Sequence, residues 1–193
     1  MPDPITLSLL GAAALTEGIK FLYTQASEVL KHWRERKDAA AKDVKADLPK
    51  EKSVTVVLPP VFEGQLSTIQ IHFDTVERLE KQLLERKRGL SGYADGSEEV
   101  DSTDKALLEQ TDALRRLLEA VYQQRITFKG EQRPPSGPIV EGHINVQDVE
   151  GRVGGVIAKT IRGGTHVEGG VDVKRTVKPG GEAGGVIVDA IEP

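Results

Sequence analysis

Three stretches of the chain place apolar residues at steps of three and four, the spacing that keeps them on one face of a helix. In the first, Leu15, Ile19, Leu22, Ala26, Val29 and Trp33 form such a seam. Asp3 suits an N-cap, Pro4 suits the first helical position and Pro49 sets the latest end, so the pattern predicts a helix over about 4–46. Its early turns are apolar almost all round, and its later ones, "KHWRERKDAAAKDVKAD", are charged with Trp33 as the one large anchor. The early part should therefore be buried and the late part solvated.

In the second stretch, Leu66, Ile69, Phe73, Val76, Leu79 and Leu83 predict a helix over about 66–88, closed by the basic "RKR" and a left-handed Gly89. In the third, Leu107, Thr111, Leu114, Leu118 and Val121 predict a helix over about 102–124. Two helices of similar length joined by a polar, turn-rich loop should pack antiparallel. "VTVVL" (54–58) and "ITFK" (126–129) flank this hairpin, read as short strands and are expected to pair at its base.

After "EQRPPSGP" the pattern changes from helical spacing to alternation, and 13 of the 20 glycines lie beyond Pro135. Residues 134–138 read as a Pro-rich linker between a helical domain, 1–133, and a β segment, 139–193. Within that segment "VEGHINV" (140–146) returns as "VEGGVDV" (167–173), an offset of 27, and "GGVIAKTI" (154–161) returns as "GGVIVDAI" (184–191), an offset of 30. The second copy thus carries three extra residues, which the sequence places near "KPGG".

One copy cannot bury its own Val and Ile face, whereas stacked copies can. Val140, Ile144, Val146, Val156 and Ile157 are accordingly expected to layer against Val167, Val171, Val173, Val186 and Ile187. The predicted fold class is α+β: an N-terminal α-helical bundle or coiled-coil hairpin with a short two-stranded base, then a C-terminal Gly/Val-rich, two-repeat β-solenoid-like unit. Two coils are few for a solenoid, and other copies of the segment would supply the missing rungs, in a closed oligomer or a cross-β-like stack. The bland alternative is a monomeric hairpin module or a Gly-rich tail.

Composition narrows the function. A net charge of −4, a pI near 5.7 and the lack of a basic stripe interleaved with aromatics argue against nucleic acid as a partner. An aromatic share of 4% argues against a large aromatic-lined ligand pocket. With no Cys there is no thiol catalysis, disulfide or Cys-based metal site, which fits a reducing cytoplasm. "MPDP" lacks the basic leader of a signal peptide, and the uncharged run Pro4 to Thr16 is shorter than a membrane span.

No catalytic or cofactor motif fits the sequence. "VKPGGEAGGVIV" lacks the Lys-Ser or Lys-Thr of a phosphate loop, and "GLSGY" is not a nucleophile elbow. The four histidines, at 32, 72, 143 and 166, have no metal spacing. The expectation is a non-enzymatic protein with no cofactor and no metal.

The run holding Ile5, Leu7, Leu9, Leu10, Leu15 and Ile19 has two readings: close packing within the helical core through the small face Gly11 to Ala14, or release onto a membrane or partner once copies assemble. An apolar N-terminal helix, a helical domain, a Pro-rich linker and the paired motifs "VEGHINV…GGVIAKTI" and "VEGGVDV…GGVIVDAI" together resemble the layout of HeLo-like and bell-type bacterial cell-death proteins. The resemblance spans the whole chain. It implies a β motif that templates an amyloid-like stack and a helical part that attacks membranes, with cytoplasmic protein becoming peripheral to the membrane on activation. The strand-flanked hairpin of residues 54–130 departs from that family's plain helical bundle. Outside the resemblance, the same layout suits a structural subunit or adaptor whose hairpin docks a protein partner.

Overall fold

A computed structural model describes residues 10–42, 48–66, 68–149, 152–162, 166–177 and 182–192. The chain divides into two compact units, Met1–Ser136 and Gly137–Pro193. The first is a mixture of helices and small antiparallel sheets.

Helix α1 spans Ala12–Lys42. It begins later than the expected Pro4: Leu10 and Gly11 precede it, and its first bond runs from the Leu15 amide to the Gly11 carbonyl at 3.0 Å. Glycine is a poor helix former and marks the entry. Residues 4–9, and the Asp3 cap with them, lie outside the described residues, as does the stretch 43–47. The seam Leu15, Ile19, Leu22, Ala26, Val29 and Trp33 is buried throughout, and from Arg34 onward the helix is mostly exposed.

Strand β1 is Glu51–Val54, β2 is Phe62–Glu63 and β3 is Ile69–His72. β1 pairs antiparallel with β3, Glu51 opposite His72 and Val54 opposite Ile69. This corrects two expectations. The strand expected at 54–58 lies at 51–54, and the helix expected from Leu66 starts only at Phe73. Ile69 and Ile71 are buried and Gln70 and His72 half-buried, a period of two that serves a sheet face. The spacing from Leu66 to Ile69 to Phe73 suits a helix equally well, so the non-local pairing with β1 decides the conformation. Ser53 Oγ and Gln70 Oε1 lie 2.9 Å apart and Gln70 Nε2 donates to Ser53 Oγ at 2.7 Å, fixing the register from the side chains as well.

Helix α2 is Phe73–Gly89, α3 is Ser91–Asp95 and α4 is Lys105–Tyr122. Gly89 is the last residue of α2 and has no positive φ; the left-handed cap is Gly96, at φ 83°, after the short α3 that occupies the expected loop. A Cβ on Gly89 would sit 2.6 Å from Gln110 Oε1, so this glycine serves close approach to α4. Asp104 caps α4, accepting from the amides of Ala106 at 2.8 Å and Leu107 at 3.3 Å. The end of α2 thus meets the start of α4, while Gln124, just past α4, reaches the Thr68 carbonyl at 3.4 Å. α2 and α4 therefore run antiparallel, as the loop length predicts.

Strand β4 is Gln124–Arg125 and β5 is Thr127–Phe128. β5 pairs antiparallel with β2, Phe62 opposite Phe128, and not with "VTVVL". The aromatics decide this partner: Phe62 packs on Phe128 with ring centroids 4.5 Å apart and on Phe21 of α1 at 4.9 Å. All four Phe residues are buried in the unit's core with Trp33 and Tyr122, so the few aromatics are concentrated where the elements cross. Each fully buried side chain of this size contributes roughly 1.5–3 kcal/mol.

The second unit consists of β6 (Gly137–Val149), β7 (Arg152–Arg162), β8 (His166–Val177) and β9 (Glu182–Glu192). β6 pairs with β8, and β7 with β9, both in parallel. A parallel partner requires a crossover, and here the intervening strand lies within it.

Candidate functional site

The repeat and the ladder share one register. Val140 lies opposite Val167, Glu141 opposite Glu168, Gly142 opposite Gly169, Ile144 opposite Val171 and Val146 opposite Val173. In the other pair Gly154 lies opposite Gly184, Val156 opposite Val186 and Ile157 opposite Ile187. All five pairings expected from the alignment of the two copies are adjacent rungs. His143 faces Gly170, so no histidine pair forms there.

The three extra residues of the second copy are not all in the turn. After Val146 opposite Val173 the register resumes at Asp148 opposite Thr176, a bulge that absorbs one residue inside β8. The other two fall between Val177 and Glu182, where the first copy has only two residues between Val149 and Arg152. Val186 is 39% exposed, which removes it from the expected inward layer. Among the described residues, β7, β8 and β9 each have a sheet partner on one side only.

The helical unit holds a second feature, a buried charge network that the helical seams do not announce. Leu108, Asp112, Arg115, Glu119 and Tyr122 form a row on α4 beside the main seam, and all five are buried. Arg115 Nη1 donates to Glu131 Oε1 and Oε2, both at 2.7 Å, and Arg115 Nη2 donates to Asp112 Oδ1. Arg116 Nη2 reaches Asp112 Oδ2 at 2.7 Å from the half-exposed side. Glu131 Oε2 also accepts the Phe128 amide at 2.8 Å. Glu119 accepts the Ile126 amide at 2.8 Å and Arg133 Nη2 at 2.9 Å.

Burial works against the Arg115 charge, but the carboxylates of Glu131 and Asp112 outweigh it and raise its pKa above the ordinary arginine value. Burial raises the Tyr122 phenol, with Glu28 adding to it, and the hydroxyl donates to Gln25 Oε1 at 3.0 Å. Both groups keep their ordinary protonation at neutral pH. The carboxylates of the network are engaged by backbone amides and guanidinium groups. The signal for it in the sequence was the four-three spacing from Leu108 to Tyr122, hidden because charged residues occupy three of its five positions.

The division between the two units falls within the Pro-rich stretch 134–138, after Ser136. Pro134, Pro135 and Ser136 belong to the helical unit. The Pro134 carbonyl accepts from Thr127 Oγ1 at 2.7 Å, Ser136 Oγ accepts the Thr127 amide at 2.8 Å, and the Ser136 amide donates to the Glu63 carbonyl at 2.9 Å.

Of the N-terminal candidates, Leu10, Leu15 and Ile19 are buried in the helical core; Ile5, Leu7 and Leu9 lie outside the described residues. No described helix is long and apolar enough to cross a membrane. A shallow cavity of about 420 Å³ is lined by residues 55–60 with Phe62 and Leu66, and Val57 beside it is 83% exposed. Among the described residues no group of His, Asp and Glu has the arrangement of a metal centre. No family model, curated protein or solved structure matches the chain.

Proposed function

We propose that the protein is a non-enzymatic, self-assembling protein in which the C-terminal repeat drives homo-oligomerisation and the helical unit acts as the effector. In this reading β6 to β9 form a two-coil, β-solenoid-like unit, and other copies of the chain complete its open edges. One observation carries it: the positions that the sequence repeats are the positions that pair, rung on rung and in parallel. A surface that recognises its own repeat within one chain offers the same recognition to the next chain. Strands paired on one side only present unpaired amides and carbonyls, which are templates for a further strand.

The effector role is the HeLo-like form of the proposal, with the run from Ile5 to Ile19 delivered to a membrane surface from the cytoplasm after assembly. No cofactor enters it. The alternative is a structural subunit whose helical hairpin docks a protein partner.

Light scattering on the full chain over a range of concentrations tests the first reading, with Val171→Asp as the comparison. Association that this substitution abolishes supports it; a monomer at every concentration sinks it. Vesicle leakage by the full chain and by a chain lacking Ile5 to Leu9 separates effector from scaffold. That deletion spares Leu15 and Ile19, which the core needs.

A further inference from the structure

The two copies of the repeat share apolar residues in β7 and β9 and reverse their charges there. β7 reads "RVGGVIAKTIR" and β9 reads "EAGGVIVDAIE". The ionisable residues of β7 are Arg152, Lys159 and Arg162, all basic, and those of β9 are Glu182, Asp189 and Glu192, all acidic. In the ladder Arg152 lies opposite Glu182 and Arg162 opposite Glu192, and Lys159 falls level with Asp189, between the rungs Ala158–Val188 and Thr160–Ala190. Every charged position of one strand is thus level with an opposite charge on the other. Among the described residues β7 and β9 pair with each other along one edge, and each has a second edge without a strand.

We propose that these charges give the assembly its direction: the free edge of β9 in one copy takes the free edge of β7 in the next, in parallel and at the register of the ladder inside the chain. The inference rests on the self-assembly reading above and names the two edges that meet. The junction between copies then repeats the junction within one copy, with the "GGVI" runs level and three acidic positions against three basic ones. Neighbouring strands lie about 4.8 Å apart, inside the screening length of about 8 Å at physiological ionic strength. The sign of these positions is therefore felt across the junction.

Joining two like edges sets like charge against like. Two β9 edges put three acidic residues against three, two β7 edges put three basic residues against three, and neither strand has a residue of the other sign to offset them at any register. A two-fold dimer through one of these edges is of this kind, because its halves present the same surface. The ladder of β6 and β8 does not choose a direction: Glu141 lies opposite Glu168 and Asp148 opposite Thr176, so its charges are not reversed between the copies. A head-to-tail contact leaves one β7 edge and one β9 edge free after each addition, open to the next copy.

The test exchanges the charges. A swapped full chain carries Arg152→Glu, Lys159→Asp, Arg162→Glu, Glu182→Arg, Asp189→Lys and Glu192→Arg, which preserves every opposite pair within the chain. Wild-type and swapped chains are labelled at the N-terminus with donor and acceptor dyes, and association is read by light scattering and energy transfer. Each is expected to associate alone, and the two in one solution are expected to sort into separate assemblies, since β9 of one and β7 of the other now carry the same sign. Random mixing, preferential mixing through like edges, or a folded swapped chain that stays monomeric overturns the proposal while self-assembly of the wild type stands. If the swapped chain does not fold, a chain with Glu182→Gln, Asp189→Asn and Glu192→Gln decides. Its neutral β9 should raise the concentration needed for association about tenfold; an unchanged or lower concentration overturns the proposal. A wild-type chain that is monomeric at every concentration removes the self-assembly reading and this inference with it.

Discussion

Arg115 and Glu131 face each other in the interior of the helical unit, one guanidinium nitrogen donating to both carboxylate oxygens at 2.7 Å, with both side chains almost fully shielded from water. The pair joins the middle of α4 to the turn after β5. Removing one member strands a buried charge, and that costs more than the pair contributes in place. Glu131→Ala should lower stability by about 3–5 kcal/mol and also orphan the Phe128 amide. Arg115→Met should be similarly costly, since it takes the guanidinium from the buried Glu131 carboxylate and leaves Asp112 with Arg116. The check is a urea titration read at a helix-sensitive wavelength; a loss below about 1 kcal/mol would mean water reaches the pair.

Gly18 is where α1 crosses the Phe128 ring. A Cβ there would fall 2.6 Å from Phe128 Cζ and closer still to Cε1, and Phe128 is fully buried against Phe62 with no room to retreat. Gly18→Ala would gain about 1 kcal/mol of helix propensity and lose about 1–3 kcal/mol to overpacking. The clash should win, and the melting temperature should fall. A rise would show that the α1 crossing is looser than the contact implies.

Gly64 combines a positive φ with contact against the Ser136 backbone. Gly64→Ala should cost about 1–2 kcal/mol from the left-handed backbone alone, and the contact adds to it. Because the displaced group is the Ser136 backbone, limited proteolysis should cut first within residues 131–136 in the variant. Cleavage that begins elsewhere would count against the role given to Gly64.

The stretch from the end of α3 to the start of α4 carries a pH dependence of defined sign. Hydrogen bonds from Ser97 hold the Asp95 carboxyl below its ordinary pKa, and those from Thr103 do the same for Asp101. A depressed folded-state pKa contributes stability above the ordinary aspartate value, and that contribution is lost as pH falls through the folded value. Carboxyl titration followed by NMR should place both groups below the unperturbed value, and Thr103→Val should move Asp101 back toward it while leaving Asp95 in place. An Asp101 that does not move would show that Thr103 is not the cause.

The helices were legible because their evidence is local. The seams of α1 and α4 name their own buried residues from Leu15 to Trp33 and from Leu107 to Val121, and a three-four spacing needs no knowledge of the partner surface. The repeat was legible for the same reason: matched residues at offsets of 27 and 30 are the ladder register, apart from one bulge. Ile69 to His72 was not, since its spacing serves a helix or a strand and only β1 selects between them. Nor was the choice of Phe62, over "VTVVL", as the partner of Phe128.

The charge row on α4 marks the same divide. Asp112, Arg115 and Glu119 look like a solvated helix face, and without Glu131 and Arg133 brought back against them from the following turn they would be one. By itself the sequence determined the helical seams, the change of character after the prolines, and which residues pair in the second unit. Tertiary structure alone decided how the Pro-rich stretch up to Ser136 is held against the helical unit. Its anchors are pairs such as Arg115 with Glu131 and Ser136 with Glu63, and a hydrogen bond across such distances in the chain exists only once the surrounding core has excluded water and brought both groups together.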